Sequence, residues 1–183
     1  MNTLKHGRFG DLKVVKGITF QKGMIQMKKR YYIAYGSNLN IMQMSLRCPT
    51  ARIVGTSEIP DYELLFKGSK TGSYLTIEPK KGGKVPVAVW EVTPADERSL
   101  DRYEGYPAFY YKKEMTLPVK RQSGRTIKTD VFVYIMHEDR PLGIPHWSYV
   151  KTCAEGYMAF GFDTKYLDEA IQRSNPDRKE KTA

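Results

Sequence analysis

A chain of 183 residues that is 40% hydrophobic and 12% aromatic can build one domain with a real core, and its composition excludes disorder. Its formal charge of +10 invites a nucleic-acid partner, but the charge is poorly placed for one. Residues 1–30 carry eight Lys or Arg and one acid, whereas the other 153 hold 22 basic and 19 acidic side chains, so no phosphate-binding face is expected on the folded part.

Residues 1–26 are basic, dotted with glycine and weakly patterned, and read as a flexible extension ahead of a domain spanning 27–175. They lack the apolar stretch of a secretory signal, and no run approaches the roughly 20 apolar residues of a membrane span. Cys48 and Cys153 form no motif and no disulfide framework. The expectation is a cytoplasmic protein with no membrane partner.

"YYIAY" at 31–35 reads as a buried strand, rich in aromatic and β-branched types. It stops at Gly36-Ser37-Asn38, small residues that expose backbone N–H groups. An ordinary turn and an anion-holding pocket both fit that pattern. A short helix over 40–47 follows, capped by Asn40 and stopped before Pro49. "ARIVGTSEI", "YELLFKG" and "SYLTIEP" read as strands, "KKGG" as a turn, and "VPVAVWEV" as the next strand. In "TPADERSLDRYEGYP", Thr93 caps a helix, Pro94 opens it and Asp96 completes a capping pattern. Leu100 and Tyr103 are expected on its inward face, Gly105 ends it, and Pro107 blocks continuation. "FYYKKEMTLPV" and "TIKTDVFVYIM" pair across the "KRQSGR" loop. Trp147, Val150, Ala154 and Tyr157 recur at helical spacing. Asp163 or Thr164 caps a last helix, and 176–183 is a polar tail. Without strict strand–helix alternation, the class is α+β: a curled mixed β-sheet or small β-barrel with flanking helices.

His6, His137 and His146 are isolated, and no metal-ligand spacing exists, so no metal site is expected. Nucleophile elbows and nucleotide or nicotinamide fingerprints are also missing, which argues against a cofactor. The cysteines lack the flanking signature of a Cys–His nucleophile. What remains is a carboxylate and a donor loop. Glu104 falls in the last helical turn, where the helix dipole disfavours a negative charge. Tyr103, Tyr106, Phe109, Tyr110 and Tyr111 surround it in sequence and would bury it partly. Both effects push a carboxyl toward the range of a general base near neutrality. An exposed helix-end Glu with no role fits the same residues.

"YIAYGSNL" at 32–39, "LDRYEGYP" at 100–107 and Tyr149 in the last helical region resemble the gamma-glutamylcyclotransferases and their relatives, over about residues 31–170. The resemblance implies that fold and a small γ-glutamyl substrate, an amine or dipeptide. The substrate's own α-amine would attack its γ-carbonyl, giving 5-oxoproline and a free amine without a cofactor. It implies Glu104 as general base and acid, and substrate binding by Tyr35, Gly36, Ser37, Asn38 and Leu39 of the loop. Tyr149 and a second pocket tyrosine, Tyr110 or Tyr111, would join them, and Asp101 would cap or orient the helix. The family often has Gly where Val87 stands. Segments 68–74 and 137–148, which would meet the leaving group, match nothing specific, so that group and the oligomeric state stay open. Two alternatives remain: a non-catalytic binding module that keeps the pocket, and removal of a γ-glutamyl protecting group in natural-product biosynthesis.

Overall fold

A computed structural model describes residues 29–69 and 72–175. The extension at 1–26 and the tail at 176–183 lie outside the described residues. Strands β1 (Arg30–Ala34), β2 (Arg52–Ser69), β3 (Gly72–Val92), β4 (Tyr110–Arg121) and β5 (Thr126–Met136) close into a barrel in the order β1-β3-β2-β4-β5. All pairs are antiparallel except the closing one, where β1 runs parallel to β5 at Tyr32↔Phe132. Helices α1 (Ile41–Arg47), α2 (Pro94–Glu104), α3 (Trp147–Ala159) and α4 (Lys165–Ser174) flank it. Val85 and Val87 to Trp90 on β3, and Val131 to Met136 on β5, are buried without alternation, so both faces of these segments are covered. Val87 itself is fully buried.

The runs expected as four separate strands merge into two long ones, β2 and β3. "KKGG" is therefore not a hairpin turn. Pairs Pro60↔Lys84 and Tyr62↔Pro79 leave 80–83 opposite Asp61, a bulge inside a continuous ladder. Asp61 (φ 58°) and Gly82 (φ 78°) both take the left-handed region, and Asp61 Oδ1 accepts from Gly82 N at 2.8 Å. Turns and bulges demand the same residue types, and only the shared partner strand tells them apart.

The α2 boundaries agree with local chemistry. Thr93 Oγ1 accepts from Asp96 N at 3.3 Å, and Asp96 Oδ2 accepts from Thr93 N at 3.0 Å. Thr50 Oγ1 adds a 2.5 Å bond to the same carboxylate. Gly105, left-handed at φ 63°, ends the helix directly after Glu104. Asp101 orients its outer side, accepting from Tyr134 Oη at 2.6 Å and Lys112 Nζ at 2.7 Å.

Two inward assignments need correction. Leu100 is buried, but Tyr103 is 46% exposed because it sits at the edge of the apolar stripe. Trp147 is 68% exposed in the first turn of α3; Tyr157 faces inward as expected, and Cys153 and Gly156 join it there. At α4, Asp163 rather than Thr164 supplies the side-chain bond, to Lys165 N at 2.9 Å.

Candidate active site

One mouth of the barrel holds a cavity of about 290 Å³. The end of β1, the start of β3, the C-terminus of α2, the start of β4 and the first turn of α3 supply its wall.

The chain leaves β1 through Tyr35 and Gly36 into a 3-10 turn at 37–39. Leu39 N donates to Gly36 O at 2.9 Å and Asn40 N to Ser37 O at 3.1 Å. The N–H groups of Ser37 and Asn38 precede the first donor of that turn and have no acceptor among the described residues. Asn40 then caps α1 by accepting from Gln43 N at 3.1 Å. Two glycines make the corner possible. A Cβ at Gly36 would lie 3.3 Å from Tyr149 Oη and 3.5 Å from Leu75 Cβ. A Cβ at Gly156 would lie 2.6 Å from Asn40 N and from the Leu39 carbonyl carbon, so α3 rests directly on the turn.

Glu104 faces this corner. Asn38 Nδ2 donates to Glu104 Oε1 at 2.9 Å and shares its other hydrogen with Tyr32 Oη at 2.9 Å. Burial pushes the carboxyl up to about 7. The Arg47 charge and the Asn38 hydrogen bond pull the other way without offsetting it. The helix end supplies no compensating donors, since a C-terminus offers carbonyl oxygens.

Seven tyrosines among the lining residues complete the wall: Tyr32, Tyr35, Tyr74, Tyr103, Tyr110, Tyr134 and Tyr149. Burial raises the pKa of Tyr32, Tyr35, Tyr110 and Tyr149 well above the usual phenol value, so they act as neutral hydrogen-bonding groups. Tyr110 Oη donates to Leu75 O at 2.9 Å, while Tyr149 Oη accepts from Leu75 N at 3.2 Å, so both rings grip one residue of β3. Tyr35 Oη is turned away, donating to Tyr134 O at 2.7 Å.

Of the residues singled out from sequence, Glu104, Tyr35, Gly36, Ser37, Asn38, Tyr110 and Tyr149 meet at one cavity. Leu39 does not line it; its side chain lies in the core and its N–H closes the turn. The open Tyr110/Tyr111 register resolves to Tyr110, which is buried, while Tyr111 Oη donates outward to Glu138 at 2.6 Å. Sequence reasoning missed Tyr32, Tyr74 and Tyr134 in the wall, Gly156 beneath the turn, and Arg47. Arg47 Nη1 donates to Asn38 Oδ1 at 2.6 Å, and its guanidinium lies 3.6 Å from the Tyr103 ring centre. One signal pointed to it: Gln43 and Arg47 are one helical turn apart on α1, directly after the loop. Among the described residues no group of His, Cys, Asp and Glu is arranged to hold a metal ion, and no helix is long and apolar enough to cross a membrane.

The family described as Gamma-glutamyl cyclotransferase, AIG2-like matches residues 32–151. A Homo sapiens protein named Gamma-glutamylcyclotransferase is 29% identical over 145 residues, covering 75% of each chain. A Bos taurus protein of the same name is 31% identical over 143 residues, 74% of this chain and 73% of the other. A solved structure named Gamma-glutamyl cyclotransferase superposes with a TM-score of 0.63 at 26% identity, covering 81% of this chain and 89% of that one.

Proposed function

The chain belongs to the Gamma-glutamyl cyclotransferase, AIG2-like family, and from that premise we propose that it cyclises a γ-glutamyl amine or dipeptide to 5-oxoproline and releases the free amine. The observation that carries this reading is a carboxyl held near pH 7 beside the open N–H groups of the 36–38 corner.

The substrate's α-ammonium cannot attack until it loses a proton, and Glu104 takes it. An α-amine of pKa about 7.7–8.0 hands a proton to a group near 7 at a cost of about 1 kcal/mol, against about 4–5 kcal/mol for an ordinary Glu. The freed lone pair forms a C–N bond to the γ-carbonyl carbon, and the carbonyl electrons move onto oxygen. Collapse re-forms the carbonyl and breaks the C–N bond to the leaving nitrogen, which takes the proton back from Glu104. The freed carboxylate then removes the second proton from the ring nitrogen and passes it to the departing amine, which leaves as an ammonium. The net products are 5-oxoproline and the amine, with no outside reactant. The N–H groups of Ser37 and Asn38 suit an anion at this corner, either the α-carboxylate or the developing oxyanion. Each oxyanion donor is worth about 2.7–4 kcal/mol of barrier. Folding the substrate so that amine and carbonyl meet supplies the rest. Tyr110 and Tyr149 shape the walls that hold it folded. The two thiols are buried and free, which fits a reducing, cytoplasmic setting.

The test is a panel of γ-glutamyl amides of graded amines and amino acids, read as released 5-oxoproline. Wild type should turn over at least one member. Glu104→Gln, which keeps the shape but cannot take the proton, should lose at least about 10²-fold. Equal rates in the two proteins would remove Glu104 from the chemistry.

A further inference from the structure

The carboxylate that does the chemistry is held by one amide, and something must hold that amide. Asn38 is buried, and its side chain could enter in either of two orientations. Taken alone, its contacts with Tyr32 Oη do not choose, because a phenol donates or accepts equally well. Arg47 chooses. A guanidinium has five donors and no acceptor, so Nη1, 2.6 Å from the amide, can only face its oxygen. The NH₂ end is then forced toward Tyr32 and Glu104, both at 2.9 Å. The reverse orientation would set NH₂ against a guanidinium and an oxygen against a carboxylate.

Two contacts fix Arg47 itself, and a third carries the link onward. Nη2 donates to Gln43 Oε1 at 2.7 Å, one turn back on α1. The guanidinium plane covers the Tyr103 ring at 3.6 Å. Tyr103 Oη in turn bonds Ser37 Oγ at 3.1 Å, in the donor loop. One side chain thus joins α1, the 36–38 corner and the end of α2.

We propose that Arg47 is a positioning residue: it locks the Asn38 amide so that an N–H faces Glu104, and it ties the base on α2 to the substrate-holding corner through Tyr103 and Ser37. The proposal deepens the cyclotransferase reading and rests on it only for its kinetic arm. The other titratable groups around Glu104 are Tyr32 and Tyr35 on β1, Cys48 after α1, Tyr103 on α2, Tyr110 on β4 and Tyr134 on β5. Burial raises the pKa of every one, so they stay neutral through the working range. Arg47 is the charged group acting on Glu104.

The full chain is compared as wild type, Arg47→Met and Arg47→Lys. Glu104 titration is followed by carboxyl ¹³C NMR, with the resonance assigned through Glu104→Gln. The acid limb of kcat/KM is followed by 5-oxoproline release. Arg47→Met removes both charge and fork, so Glu104 should titrate about one unit higher, with the acid limb moving in parallel. Arg47→Lys restores a charge without a planar fork. Its Glu104 should titrate near the wild-type value, while kcat falls about tenfold at saturating substrate, because the amide is no longer locked. An unmoved titration in Arg47→Met overturns the proposal. If Arg47→Met does not fold, Arg47→Lys decides, and a wild-type kcat there overturns it. An inactive wild type would sink the cyclotransferase reading, while the NMR titration would still judge Arg47.

Discussion

Replacing Glu104 by Gln should stabilise the protein, and only at the pH values where that carboxyl is ionised. Burial holds this carboxyl near 7 in the fold, against its ordinary 4.5. Below the lower value it is protonated in folded and unfolded chains alike, and no difference arises. Between the two values the unfolded chain releases its proton first and so binds fewer protons than the fold. The sign of the linkage is then negative: stability falls as pH rises, and the loss is complete above 7. The gap corresponds to about 3 kcal/mol. Glu104 is partly buried and lines the cavity, so about 2 kcal/mol is the working figure. Gln has the same outline, its Oε1 can still accept from Asn38, and it does not ionise. Thermal melts by circular dichroism should therefore coincide for wild type and Glu104→Gln near about pH 4. At about pH 8 the variant should melt roughly 4–8 °C higher. A melting difference that stays constant across that range would refute the idea that the fold carries an electrostatic cost at this position.

Gly36→Ala should leave the barrel folded but press its methyl toward Tyr149 Oη, 3.3 Å away, costing about 1–2 kcal/mol and raising KM in the 5-oxoproline assay. A wild-type KM would show that the corner has room to spare. Gly156→Ala meets backbone rather than a movable side chain, with Asn40 N at 2.6 Å, so it should destabilise by about 2–3 kcal/mol in urea unfolding and lower kcat as the donor turn shifts. An unchanged midpoint would contradict the direct seating of α3 on the turn.

Local chemistry alone accounts for several elements. Thr93, Pro94, Asp96 and Gly105 mark both ends of α2 because each satisfies or releases backbone groups within its own turn. The hairpin of β4 and β5 was legible in the same way, since Gly124, at φ 82°, supplies the turn that its neighbours cannot. Glu104 stood out because it breaks the helix-end rule, and a broken local rule needs a reason from elsewhere in the fold.

What the chain does at a distance was not legible. "KKGG" carries the composition of a turn, and only the common partner β2 makes it a bulge. Leu39 sits in the same motif as Asn38, yet one points to the core and the other to the carboxylate, because the 3-10 turn rotates successive side chains apart. Tyr103 reads as inward by spacing, but its place at the mouth depends on Arg47, which reaches it from another helix. The sequence by itself determined which residues could end a helix, open a corner or resent a charge, since those properties belong to a residue and its immediate neighbours. Tertiary structure alone decided which groups meet across the barrel mouth. Hydrogen-bond partners separated by 66 positions, such as Asn38 and Glu104, are brought together by barrel closure and helix packing, to which no local pattern is sensitive.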